Sequence, residues 1–126
     1  MELPIVIMAY SRSVDFELVL QSICSQRETK AFTPKYFLAL DFYNKKTSDQ
    51  LIKLATTYIP DIRILSSSKN VGVFKNFDKI EHHLFSKKKY DFAAFFEDDL
   101  ILSNEYFLAI ERGLEQMYNS PSIGLF

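Results

Sequence analysis

Apolar runs and helix-spaced stretches take turns along the whole chain. Four runs have the length and residue types of strands: Pro4 to Ala9, Tyr36 to Leu40, Asp61 to Leu65 and Asp91 to Phe96. Between them, apolar side chains fall at i, i+3, i+4 and i+7, the spacing that gathers them on one face of a helix. Phe16, Val19, Leu20 and Ile23 form the first stripe, with Ser13 ahead of it as a candidate N-cap. Leu51, Leu54, Ala55 and Tyr58 form the second, preceded by Thr47 and Gln50 in a capping-box pattern and closed by Pro60. Val73, Phe77, Ile80 and Leu84 form the third, ending near Lys87-Lys88-Lys89, whose charges suit the negative end of a helix dipole. Phe107, Ile110, Leu114 and Met117 form the fourth, with Ser103 as cap and Glu105 in the first turn.

Strands that alternate with helices are joined as parallel neighbours through right-handed crossovers, and the helices then cover the sheet. The first, second and fourth runs are almost continuously apolar, as strands covered on both faces should be. The expected fold is therefore α/β, a three-layer α/β/α sandwich with a mainly parallel, Rossmann-like sheet, forming a single domain over residues 1-126. No linker, repeat or low-complexity tract interrupts it. Ser122 to Phe126 reads as the start of another strand, so the chain is expected to be truncated from something longer.

Composition excludes several classes. The 126 residues are 48% hydrophobic, with 12 Phe and 7 Tyr but only three Gly and four Pro, which favours a packed core over disorder. Fifteen basic against sixteen acidic side chains leave a net charge of -1, without the basic excess that a nucleic-acid surface needs. The single cysteine, Cys24, has no internal partner, and its place in an apolar helical pattern predicts a small core residue rather than a catalytic thiol. The run Pro4 to Ala9 is too short to span a bilayer and lacks the basic flank of a secretory signal, so no membrane segment is expected. Nothing demands an oxidising compartment, and a cytoplasmic location is the expectation.

In an open parallel sheet the ligand lies beyond the carboxyl ends of the strands, where strand order switches. Tyr10, Ser11 and Arg12 follow the first run, Asp41 and Tyr43 the second, Ser66 to Asn70 and Gly72 the third, and Glu97, Asp98 and Asp99 the fourth. Three consecutive carboxylates in a half-buried cleft repel one another unless a cation relieves them. Mg²⁺ or Mn²⁺ suits them, because such ions take one or two protein carboxylates and fill the remaining positions with substrate phosphates and water. A solvated acidic loop leading into the fourth helix is the plainer alternative. Arg12 is placed to grip a phosphate or base through paired hydrogen bonds, and a surface arginine is an equal alternative. Asp41 can accept a hydrogen bond from a base or ribose, or simply shape a turn before Asn44. His82 and His83 lack partners at zinc spacing and read as surface or packing residues. No Gly-rich phosphate loop, nucleophile elbow or Cys-x-x-Cys pair occurs.

The segment Phe95 to Phe107, with Glu97-Asp98-Asp99 near its start, resembles the acidic motif and following helix of the N-acetylglucosaminyltransferase I family, and more broadly family 2-like glycosyltransferases of the GT-A fold. Ile7 to Ser13 is similar to that family's first strand and nucleotide-contacting arginine; Leu40-Asp41 is similar to its second-strand aspartate, and Gly72 with Lys75 to the helix lining the nucleotide pocket. The resemblance runs in order from Pro4 to about Met117. It implies a glycosyltransferase that moves a sugar from a UDP-sugar-type donor to an acceptor hydroxyl with Mn²⁺ or Mg²⁺. Asp99 would ligate the metal, Glu97 and Asp98 would contact ribose or donor sugar, and Arg12 and Asp41 would hold the nucleotide. The acceptor-binding half and the catalytic base come later in that family, and no carboxylate follows Glu115 here. Two rivals stand beside this reading: a metal-dependent nucleotide-binding module without turnover, and an unrelated three-layer domain whose acids are surface charge.

Overall fold

The computed structural model describes residues 1–11, 13–26, 31–66, 72–97 and 105–119. Strand β1 (Glu2–Ala9) leads into α1 (Ser13–Cys24), β2 (Thr33–Leu40), α2 (Lys45–Tyr58) and β3 (Arg63–Ser66). Helix α3 (Val73–Glu81) then continues into a π-helical segment, His82–Lys87, before β4 (Ala94–Glu97) and α4 (Tyr106–Asn119). The four strands are ordered β3-β2-β1-β4, and every pairing is parallel. The α/β architecture expected from the alternating pattern is thus the one observed, a parallel sheet with helices on both faces.

Alternation along each strand assigns the two faces. Leu3, Ile5, Ile7 and Ala9 of β1 join Leu38 and Leu40 of β2 in a large core closed by α1, α2 and α4 through Phe16, Leu20, Leu51, Ala55, Phe107 and Ile110. Val6, Phe37 and Ala39 point the other way, into a smaller core closed by Ile80 of α3 and Leu84 of the π segment. The chain therefore crosses one face twice in going from β1 to β3, then returns over the other face to place β4 beside β1. That reversal makes a topological switch between β1 and β4, the position where such sheets open a crevice.

Several local predictions are corrected. The capping box at Thr47 and Gln50 does not form. Asn44 is the N-cap instead, in extended conformation, and its Oδ1 accepts from the Thr47 backbone N–H at 2.7 Å. Asn caps as well as Ser or Thr, and its position three residues earlier adds most of a turn to the helix. The third helix does not stay α-helical to the lysines but widens to π geometry at His82. Its end is closed by N–H groups of Lys88 and Tyr90 donating to the carbonyls of His83 and Leu84, both at 3.0 Å, while Lys89 takes a left-handed φ of 58°. Cys24 is exposed rather than core, because the stripe of Phe16, Val19, Leu20 and Ile23 already fills the sheet-facing side of α1. Its Sγ reaches the Tyr58 carbonyl at 3.6 Å, beside a 3.0 Å hydrogen bond from Gln21 Nε2 to the Tyr58 hydroxyl, so it helps to hold α1 against α2. Ser13 is the first helical residue of α1. Ser103 lies outside the described residues.

Candidate functional site at the carboxyl ends of the strands

The site begins with a carboxylate that the fold buries. Asp41 follows β2, and its backbone N–H extends the parallel ladder by donating to the Ala9 carbonyl at 3.0 Å. Only 6% of the residue is exposed. Its Oδ2 accepts from the backbone N–H of Gly72 at 3.2 Å, which pins the start of α3 to the end of β2. Gly72 is the N-cap of that helix with φ of 83°, a conformation that a side chain would oppose. A Cβ there would meet nothing within 4 Å, so backbone conformation rather than crowding calls for glycine. A buried acid at a helix start also faces the positive end of the helix dipole.

Glu97 closes β4 and is exposed. It pairs in register with Met8, whereas Leu40, the residue before Asp41, pairs with Ala9. Strand parity puts Glu97 on the side of Phe95, the same α3-covered side on which Asp41 meets Gly72. With strands about 4.8 Å apart and rising about 3.3 Å per residue, the two acids stand about 12 Å apart along the backbone, on either side of the end of β1. The ends of β1 and β2 add a pair of aromatic rings, Tyr10 and Tyr43, packed edge to face with centroids 5.2 Å apart. Both are exposed large side chains.

Asn76 is a further polar group of this region. It occupies the apolar stripe of α3, 3% exposed, with Nδ2 reaching the Ala39 carbonyl at 3.5 Å and a buried Oδ1 that meets no donor among the described residues. The signal was present in the sequence: position 76 falls between Val73 and Ile80 at helical spacing, where an amide breaks an apolar series. Buried amides ordinarily satisfy both ends, and this one does so at its nitrogen alone among the described residues.

Of the residues singled out from sequence, Asp41 and Glu97 are brought to one face of the sheet, and Gly72 caps the helix beside them. Lys75 is on the exposed side of α3. Arg12, Asp98 and Asp99 lie outside the described residues. Among the described residues no cluster of three or more His, Cys, Asp or Glu forms a metal site. No helix among them is long and apolar enough to cross a membrane. The arrangement can accept hydrogen bonds at Asp41 and offers two aromatic rings nearby, with a second acid on the far side of β1.

The sheet order and flanking helices define a parallel α/β fold that is GT-A-like. Solved structures of S. aureus TarS share it. TarS 1-349 aligns with a TM-score of 0.68 over 94% of this chain and 33% of that one, at 13% identity. TarS 1-349 in complex with UDP aligns with a TM-score of 0.64 at 12% identity, again covering 94% of this chain and 33% of that one. The longer TarS structure gives 0.63 at 12% identity, with 20% of its length covered. The chain thus spans about a third or less of the structures it resembles, and at these identities the likeness is one of fold. No family model matches the chain. No curated protein matches it.

Proposed function

We propose that this chain is the nucleotide-sugar-binding part of a GT-A-type glycosyltransferase, one that transfers a sugar from a UDP-sugar-type donor to an acceptor hydroxyl with Mn²⁺ or Mg²⁺. The observation that carries the reading is the buried Asp41 carboxylate, fixed by Gly72 at the carboxyl ends of the strands and on the same face as Glu97. The likeness in fold to TarS 1-349 in complex with UDP supports it. In this reading Asp41 and Arg12 hold the nucleotide, Glu97 and Asp98 contact ribose or donor sugar, and Asp99 ligates the metal. A bound divalent ion neutralises the negative charge that grows on the departing diphosphate. The protein groups bind the nucleotide, orient the donor and keep its anomeric carbon accessible.

The second reading is a metal-dependent nucleotide-binding module without turnover. The Asp41–Gly72 contact supports it equally, because a carboxylate so held can bind a nucleotide whether or not transfer follows. Calorimetric titration with UDP, with and without Mn²⁺, tests what the two readings share. UDP is expected to bind in a metal-dependent way, and Asp99→Ala should weaken it by at least tenfold. No heat from the wild type, or equal affinity for Asp99→Ala, would sink both readings. Assay of the same chain for sugar transfer or donor hydrolysis separates them.

A further inference from the structure

The opposite end of the sheet carries a charge pattern that the nucleotide site does not use. Arg63 opens β3 and is exposed; Lys87 ends the π segment, and Lys88 and Lys89 follow it, all exposed. One buried ring links Arg63 to the segment that bears the lysines. Phe37 is in register with Arg63, whose guanidinium carbon lies 5.8 Å from the ring centroid. On the same ring pack His83, at 6.3 Å between centroids, and Tyr90, at 6.5 Å. The imidazole of His83 is held below its ordinary range by burial first, and then by Lys88, Lys87, Arg63 and His82, so the charges it feels are all cationic. Among the described residues no ion pair joins Arg63, Lys87, Lys88 or Lys89 to a carboxylate. Lys35, on the same face, is already engaged by Glu2 at 3.6 Å. The acids nearest in the chain, Asp61, Glu81 and Asp91, are exposed, and among the described residues none of them pairs with the four cations. Lys89 keeps a left-handed φ of 58° where glycine would sit without strain, so a cation occupies a position that local conformation disfavours.

We propose that this basic end, Arg63 with Lys87, Lys88 and Lys89, is a docking surface for an anionic lipid bilayer. Four permanent charges fall within the size of polybasic clusters that bind acidic headgroups. Exposed lysines at a helix end act as point charges toward a diffuse field, whereas a single phosphate would call for a fork or a pocket. A protein partner would want an apolar anchor, and the exposed large hydrophobics, Met1, Tyr10, Val14, Leu18 and Tyr43, belong neither to β3 nor to the π segment. Single-stranded nucleic acid would want exposed rings for stacking, and Phe37 is wholly buried. Helix α3 starts beside Asp41 and runs down to the cluster, so some fifteen residues of helix put the lysines about 20 Å from Gly72. Docking at this end leaves the carboxyl ends of the strands facing away from the lipid.

The test is co-sedimentation of the full chain with vesicles of phosphatidylcholine, alone or mixed with phosphatidylserine. Binding is expected only to the mixed vesicles and is expected to fall as salt is raised. Replacing Lys87, Lys88 and Lys89 together by Gln should lower the partition coefficient roughly 100-fold, and Lys88→Gln alone roughly fivefold. The pair Lys45→Gln and Lys46→Gln, at the start of α2, should leave it unchanged. Equal binding to neutral vesicles, no loss in the triple variant, or binding of the wild type to heparin or an oligonucleotide but not to mixed vesicles would each overturn the proposal.

Discussion

Asp41 is fixed by the architecture before any ligand arrives. One carboxylate oxygen is committed to the Gly72 N–H, and the chain cannot reposition it without loosening the start of α3. A group held in this way needs little reordering when a ligand arrives, which is the usual advantage of a preorganised polar contact. Tyr36 illustrates the opposite case, a polar atom that packing alone perturbs. Its hydroxyl is pushed up to about 12 from 10.0 by burial first, with Cys24 and Asp61 adding to the shift. The neutral phenol is thus favoured in the folded state. Its contribution is complete below about pH 10, the ordinary tyrosine value, and is lost as pH rises toward about 12. Urea unfolding followed across that interval should show a decline in stability that Tyr36→Phe reduces; an identical decline in the variant would remove Tyr36 as the cause. Partial burial likewise raises the Cys24 thiol, whose Sγ lies against the Tyr58 carbonyl.

At the level of elements, the caps were harder to read than the helices they end. The stripes at Phe16 to Ile23, Leu51 to Tyr58 and Phe107 to Met117 mark helices that form, because a sheet offers each one an apolar face to cover. The start of α2 was misplaced because Asn44 and Thr47 both cap well in isolation, and only the chain's exit from Asp41 decides between them. Removing the Asn44 side chain with Ala should cost about 1 kcal/mol, measured as a shift in the urea midpoint. Thr47→Ala should cost much less, since its side chain makes no capping bond; the reverse order would restore the capping box. The π segment had no visible signal, because a widened turn depends on where Leu84 must reach in the smaller core and not on propensity. At the other end of the domain, the first N–H groups of α4 are partly served from a distance, by Gln26 Oε1 accepting from Phe107 at 2.9 Å, a contact across 81 residues.

For the molecule as a whole, alternation of runs and stripes made the layered α/β fold legible, since few topologies bury such elements. The site was legible only in part. Asp41 and Glu97 share a face through strand parity and flank β1 through strand order, and neither can be read before the pairing is known. Asn76 and the Tyr10–Tyr43 pair depend on contacts between elements, which no local spacing reports. If nucleotide and metal bind the assembled sheet ends and not the unfolded chain, they stabilise the whole domain by mass action. At a hundredfold excess over the dissociation constant, UDP with Mn²⁺ should add about 2.7 kcal/mol. For a domain of this size that is a rise on the order of 10 °C in Tm, read by scanning calorimetry. UDP without Mn²⁺ should give a smaller rise, and an unchanged Tm in both would contradict binding to the folded sheet.

Because all four strands run the same way, the molecule has polarity like an arrow. Met1 sits at the tail, exposed, with its carbonyl accepting from Thr33 at 2.7 Å, while Asp41 and Glu97 stand at the tip. A bead, sensor chip or fluorophore attached through Met1 would therefore leave the carboxyl ends of the strands open while crowding the end that bears the lysines. Attachment chemistry could in this way silence one face of the protein and spare the other.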